Sequence, residues 1–354
     1  MKRICITSLF ILSVLLFWIS VQPALASEPK IITSVSENSA IRENFQRKSF
    51  YAQGRYWVFY CNGSYIVYRT SINGKSWTDE TAVRAETSGY HFSLCYNETI
   101  VSYADNIEGN LYYRCGTPQS DGSITWFGDE QEITDLDYNC LTPTITLDSE
   151  GYPWIGVVNH FVDIYQPYVL KSEWNNGSWS TATGFPYKLS TETCVCVGVI
   201  SLTSEKIYVF YSKQGCDYFY GKLYSGSWGA EETVFTDISI DTEFSAVAID
   251  DDVHVIMKQP TQLSYRKRIS GAWQSQESIY DDSVLGQLTK DNEDIYISYV
   301  SGNKIYVQAR YQNGSSSSAE ITCSYGYEIR YLQAYYQVFD TKNALLYMEY
   351  TGTT

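Results

Sequence analysis

Apolar and polar positions alternate in short stretches along most of this chain, and no long segment sustains a helical period. Residues 243–280 show the local grammar. "EFSAVAID" is apolar with little alternation, which reads as a strand buried on both faces. "DVHVIMK" follows an Asp-Asp turn, "QLSYRKR" comes next, and a Ser-Gly-Ala-Trp turn leads into "WQSQESIY". The pattern predicts four short strands, here a, b, c and d, joined by Gly, Asp, Asn and Ser turns. The β-branched residues and 33 tyrosines of the chain suit strands.

The grammar repeats. A turn tryptophan recurs as Trp77, Trp126, Trp179, Trp228 and Trp273, at intervals of about 45–53 residues. A sixth unit, "YQNGSSSS", keeps the turn but has Ser316 in place of tryptophan. A repeated four-stranded antiparallel unit of this length predicts an all-β fold, a β-propeller. First strands can be marked near Phe50, Leu94, Thr144, Val197, Ala246, Gln287 and Gln333, which makes seven blades. The last unit has only two strands before the chain stops. "KIITSVSE" (Lys30–Glu37) is therefore expected to pair into it and close the ring, removing an exposed edge. A six-bladed ring with extra edge strands is the alternative.

Each c–d turn needs a residue that tolerates positive φ, and Gly74, Gly122, Gly177, Gly226 and Gly271 supply it. The tryptophan just beyond can cover the apolar layer of the blade. Arg69, Arg114, Lys171, Lys222, Lys267 and Arg310 recur near the ends of the c strands. They are expected to lie over aromatic rings with their charges in solvent.

The first residues change the picture of where the protein works. Lys2 and Arg3, an apolar run and Ala24-Leu25-Ala26 read as a secretory signal peptide over 1–26, with an uncleaved anchor as the alternative. Residues 27–354 then form a single propeller domain, secreted or at the cell surface, with no later membrane span. A net charge of −15 argues against nucleic acid as a partner. Cys61, Cys95, Cys115, Cys140, Cys194, Cys196, Cys216 and Cys323 remain after the leader, and an even count in an exported chain permits disulfides. No metal-ligand set emerges: Cys194-Val195-Cys196 lacks a matching His/Cys pair, and no loop has a calcium-binding pattern, so no cofactor is expected. Sequons occur at Asn62, Asn97, Asn176 and Asn313, three of them Asn-Gly-Ser turns.

In an antiparallel blade the a–b and c–d turns share one face, and the b–c and d–a connections share the other. The Gly-Trp turns therefore mark the face opposite the longest predicted loops. These are residues 134–143, 159–167, 212–219 and 236–245. They carry Asp137, Tyr138, Asn139, His160, Asp163, Tyr165, Asp241 and Glu243, with Glu192 on a neighbouring loop. Asp137, Glu192, Asp241 and Glu243 are the catalytic candidates, because glycoside hydrolysis needs two carboxyl groups at a set separation. Tyr138, Asn139, His160, Asp163 and Tyr165 are ligand-binding candidates, joined by Arg42, Tyr327 and Arg330.

"TSINGKSW" and "SDGSITW" resemble Asp-boxes, the c–d turn repeats of sialidase-like propellers, and the other copies are degenerate. The resemblance spans nearly the whole mature chain and implies architecture, with the boxes in a structural role. Sialidases clamp a carboxylate with three arginines and use a Tyr/Glu nucleophile pair. Here "SAIRENF" offers Arg42 without the Ile-Pro of the family motif, and "YGYEIRY" sets Tyr325, Tyr327 and Glu328 beside Arg330. The reading is a propeller that binds an extracellular glycan or protein without catalysis. The alternatives are a glycoside hydrolase or polysaccharide-cleaving enzyme, and a structural cell-surface propeller.

Overall fold

A computed structural model describes residues 30–136, 139–213, 218–238, 243–312, 314–322, 328–339 and 343–350. Six antiparallel sheets of four or five strands follow one another along the chain, with strands paired in sequence order. A two-stranded sheet, Glu328–Ala334 with Leu345–Tyr350, comes last. The fold is a β-propeller with six full blades, the alternative count, rather than seven blades with a strand-paired closure. The first strands are Ser49–Ala52, Phe92–Tyr96, Asn139–Leu147, Val197–Ser201, Phe244–Ile249 and Gly286–Asp291. Together with Glu328–Ala334 they contain all seven positions marked from the apolar pattern. In blades two and five the outer strand is interrupted, so two short segments pair with the same c strand.

Ring closure differs from the expectation. Lys30–Glu37 forms no strand. Instead Ile32 and Val35 pack between Val58, Tyr60 and Val67 of blade one and Tyr331, Leu346 and Met348 of the two-stranded sheet. The cause lies just downstream. A turn closed by the Arg42 N–H donating to the Ser39 carbonyl (3.0 Å) bends the chain off the sheet edge and into the propeller axis.

Residues 41–48 then run along that axis, and their polar side chains are held by the first strands. Gln46 donates to the carbonyls of Tyr90 (3.0 Å) and Pro143 (2.9 Å). Gln333 reaches back to the Ile41 and Glu43 carbonyls, and Gln287 to that of Asn44. The buried Lys48 ammonium donates to Gln46 Oε1, the Gly89 carbonyl and the Phe92 carbonyl. Arg47 donates to Gln287 Oε1, the Leu288 and Ala334 carbonyls, Ser245 Oγ and the Ala246 carbonyl, all at 3.0–3.2 Å. Phe45 stacks on Phe244, ring centroids 5.2 Å apart. Buried polar groups persist when they are hydrogen-bonded, and this segment ties units two, three, five, six and the two-stranded sheet to one strand of chain.

The Gly-Trp turns meet the core at blade boundaries. All five turn glycines have φ between +70° and +98°. Trp126 packs in the cluster that joins blades one and two, Trp179 in that of two and three, Trp228 in that of three and four, and Trp273 in that of four and five. Trp77 packs where blade one meets the two-stranded sheet. Each tryptophan thus wedges its own blade against the preceding unit. Arg114, Lys171, Lys222 and Arg310 lie over aromatic rings at 4.7–5.8 Å from the centroids. Trp273 also donates its indole N–H to Tyr208 Oη at 3.1 Å. Trp273→Ala is expected to cost on the order of 3 kcal/mol, through lost packing and that hydrogen bond. A urea midpoint shift with unchanged slope would check it.

Candidate functional site

A channel of about 370 Å³ runs along the axis, lined by the first strands. One end is closed by Phe45 and Arg47 of the axial segment. The lining reaches the a–b turns at Asn97, Glu98, Leu202, Thr203 and Asp250, so the channel opens on the a–b side. In antiparallel blades that is also the face of the c–d Gly-Trp turns. This is the face opposite the loops that carry the sequence-derived candidates. The axial segment fills the end nearer those loops, and the described cavity opens on the Gly-Trp side.

The mouth is aromatic. Phe50, Tyr51, Tyr96, Tyr335, Tyr336 and Phe339 line it. Residues 335–339, which follow the first strand of the two-stranded sheet, cross the opening as a strap. The strap is fastened on several sides. The Lys290 N–H donates to the Tyr336 carbonyl (3.1 Å), and the Val338 N–H to the Lys290 carbonyl (2.8 Å). Tyr336 Oη accepts from the Ala248 N–H at 3.1 Å. Gln337 Nε2 donates to Glu98 Oε1 at 3.4 Å, and Phe339 stacks on Tyr51 with centroids 4.0 Å apart. Burial raises the Tyr96 and Tyr335 phenols above their ordinary range, so both are neutral donors at physiological pH.

The sequence-derived candidates fall into two groups away from this channel. Residues 159–167 are not a loop. The second strand of blade three, Pro153–Phe161, and the third, Ile164–Lys171, extend through it with a Val162-Asp163 turn between them. Asn139 pairs with His160 and His160 with Tyr165, so these three stand in one row across the sheet. The His160 and Tyr165 rings stack at 4.0 Å. Asp163 sits in the turn, and Glu192 lies 3.6 Å from Lys213 Nζ in the neighbouring blade. Asp137, Tyr138, Asp241 and Tyr327 lie outside the described residues, as do residues 1–26, Cys216, Cys323 and Asn313.

The second group surrounds the base of the axial segment. Glu243 Oε2 accepts the Asn44 N–H at 2.9 Å, and Arg42 Nε lies 3.1 Å from Glu43 Oε1. Burial, with the nearby Glu43 carboxylate second, pushes the Glu243 carboxyl up to about 8, against weaker pulls from the Asn44 N–H, Lys258 and Arg42. Tyr331 is raised by burial, and Arg42, Glu43, Glu243 and Arg330 all act on it. Arg330 lies 3.7 Å from Glu328. Glu43 adopts φ +69°, an uncommon conformation for a non-glycine residue.

This geometry has a pH consequence. Glu243 holds a proton in the folded state that the unfolded chain releases near pH 4.5, so its contribution to stability is complete below that pH. It is lost as pH rises through about 8. The melting temperature is therefore expected to fall by a few degrees between pH 5 and 8.5. Glu243→Gln should reduce the fall. Asp105, raised in the same direction by burial, contributes to the part that remains. Thermal melts of both proteins across this range check the sign.

Other candidates serve structure. His254 is buried with Nδ1 2.6 Å from Tyr265 Oη, and burial lowers it to about 4. Asn62, Asn97 and Asn176 accept backbone N–H groups within their own turns. Of the six described cysteines, all but Cys95 are buried. Among the described residues no group of three or more His, Cys, Asp and Glu could hold a metal ion, and no helix is long and apolar enough to cross a membrane.

Arg47, Lys290 and the strap were not anticipated from sequence. A signal for the axial segment was present. Gln287 and Gln333 interrupt apolar first strands, and buried amides there require polar partners along the axis.

No protein-family model matches the chain, and no curated protein matches its sequence. Solved propeller structures do share its fold. The polysaccharide lyase Uly1 aligns over 87% of this chain and 87% of its own, at 11% identity and TM-score 0.56. A mutant of AofleA from Arthrobotrys oligospora aligns over 82% of this chain and 93% of its own, at 10% identity and TM-score 0.53. The periplasmic gluconolactonase PpgL of Pseudomonas aeruginosa aligns over 80% of this chain and 84% of its own, at 12% identity and TM-score 0.52. At such identities the likeness is one of fold.

Proposed function

We propose that the protein is an extracellular carbohydrate-binding propeller whose ligand enters the axial channel on the Gly-Trp face. The observation that carries this reading is an axial channel, with Phe45 and Arg47 of the axial segment in its lining, whose wall carries Phe50, Tyr51, Tyr96, Tyr335, Tyr336 and Phe339 on the side of blades one and two and the strap. Its volume of about 370 Å³ lies in the range of small-molecule pockets and suits roughly one or two sugar rings. Aromatic faces stack on the apolar faces of sugars, while Asn97, Ser201, Thr203 and Gln337 offer hydrogen bonds for hydroxyl groups. A channel with a floor admits the end of a saccharide chain rather than its interior.

A second reading, glycoside hydrolysis, draws support from Glu43 and Glu243. A raised carboxyl beside a carboxylate, with Arg42 and Tyr331 close by, is the kind of pair that divides acid and base roles. One experiment separates the two readings: a glycan array run beside a fluorogenic glycoside panel. Binding without turnover supports the first. Turnover abolished by Glu243→Gln supports the second. Neither binding nor turnover leaves the structural-propeller reading.

A further inference from the structure

Two cations line the channel, Arg47 and Lys290. Arg42, Arg69, Arg84, Lys171, Lys206, Lys213, Arg268, Lys304, Arg310 and Arg330 each have a carboxylate within ion-pair distance. No ion pair joins Lys290 or Arg47 to a carboxylate among the described residues; the same holds for Lys48, Arg55, Lys75, Arg114, Lys188, Lys222, Lys258, Arg266 and Lys267, none of which lines the channel. Arg47 and Lys290 also flank one ring. The Arg47 guanidinium lies 5.4 Å from the Tyr336 centroid, and Lys290 Nζ lies 5.2 Å from it.

Arg47 sits at the floor, where neutral acceptors occupy its Nη atoms. Those contacts hold the guanidinium in place and leave its charge uncancelled. Lys290 sits on the wall near the mouth. Its backbone N–H and carbonyl fasten the strap, while its ammonium makes no hydrogen bond within the described structure. An ammonium kept over an aromatic ring, in a recess of low polarity, interacts strongly with any anion that displaces the water around it. The long-range field of a protein at −15 repels such a ligand, but that field is screened over about 8 Å at physiological salt. Recognition of an anion therefore depends on charges at the site itself.

We infer that the axial channel recognises an anionic chain end, a saccharide terminus bearing a carboxylate or sulfate group, with that group placed between Lys290 and Arg47 against Tyr336. The inference rests on the carbohydrate-binding reading and adds the ligand class to it. Lys290 supplies the specificity, and Arg47 supplies a fixed charge deeper in the channel. The carboxylates of Glu98 and Asp250 remain at the turns that form the rim.

The test uses the whole mature protein and matched short ligands in titration calorimetry at 150 mM salt. The first pair is trigalacturonate and its methyl ester. The second is a sulfated galactobiose and the unsulfated disaccharide. The wild type is expected to bind the charged member of at least one pair about tenfold or more tightly than the neutral member. The pair that shows the preference identifies carboxylate or sulfate as the group recognised. Lys290→Gln should remove the preference, and Lys290→Arg should keep most of it. Circular dichroism melts check that these variants fold, since the hydrogen bonds from residue 290 to the strap are made by its backbone.

Equal affinity for charged and neutral members overturns the inference and leaves the carbohydrate reading in place. So does a preference that survives Lys290→Gln. If neither member of either pair binds, and a glycan array is also blank, the carbohydrate reading itself falls.

Discussion

Arg47→Ala is expected to lower the melting temperature by on the order of 5–10 °C, the largest stability loss of any substitution considered. The reason is the number of units that one guanidinium joins. Its Nη atoms donate to Ser245 and Ala246 of blade five, Gln287 and Leu288 of blade six, and Ala334 of the closing sheet. Truncation leaves those acceptors without a donor at the floor of the channel. Each such loss costs about 1–3 kcal/mol where water cannot substitute. Water can reach some of them through the channel, so a total on the order of 4 kcal/mol is expected. Arg47→Lys keeps the charge but not the planar fork, and should fall between wild type and alanine. Burial already lowers the Arg47 guanidinium to about 10, which reflects how completely the protein encloses it. Scanning calorimetry of the three proteins checks the order.

The same residue shows what could be read from sequence and what could not. Blade architecture was legible because it repeats. The apolar run of each first strand and the Gly-Trp turn announce themselves every forty to fifty residues, and the marks near Phe50 through Gln333 all fall in first strands. The axial segment occurs once, has no period, and is polar. "RENFQRKS" reads as a solvated loop by composition, yet Asn44, Gln46 and Lys48 are almost completely buried. Their burial depends on carbonyls of units two and three and on the Glu243 and Gln287 side chains, which no local pattern encodes. Ring closure was misread for a related reason. Lys30–Glu37 alternates like a strand, but the turn at residues 39–42 takes the chain into the axis instead of along the sheet edge.

The site was less legible still. Residues 159–167 read as a loop by composition but form two strand ends and a tight turn. Asn139, His160 and Tyr165 do come together, but through strand register. Arg42, Glu243 and Arg330 also gather, around Tyr331 at the base of the axial segment. The channel itself draws a few residues from each blade. Its aromatic mouth depends on the strap at 335–339, whose position is set by hydrogen bonds to residues 248 and 290. The repeated tryptophans lie at the blade boundaries.

The second large effect concerns binding. Ser201 lines the channel at the end of the first strand of blade four and is only partly buried. Ser201→Trp places a bulky ring at that point. Ser201 is partly exposed where it lines the channel, and a circular dichroism melt checks that the variant keeps the blade scaffold. Filling the channel removes the room in which a sugar ring would stack on Tyr51, Tyr96 or Tyr336. Affinity for any saccharide that binds there is expected to fall about 100-fold or more, a loss of roughly 3 kcal/mol. His160→Ala, on the opposite face, is expected to leave affinity within about twofold.

The account rests on one claim, that the ligand occupies the axial channel from the Gly-Trp face. The most direct measurement is a calorimetric titration of one array-selected oligosaccharide into three proteins: wild type, Ser201→Trp and His160→Ala. The account predicts binding to wild type and His160→Ala, and none detectable to folded Ser201→Trp. Undiminished binding to Ser201→Trp, with loss in His160→Ala, would contradict it and move the site to the opposite face.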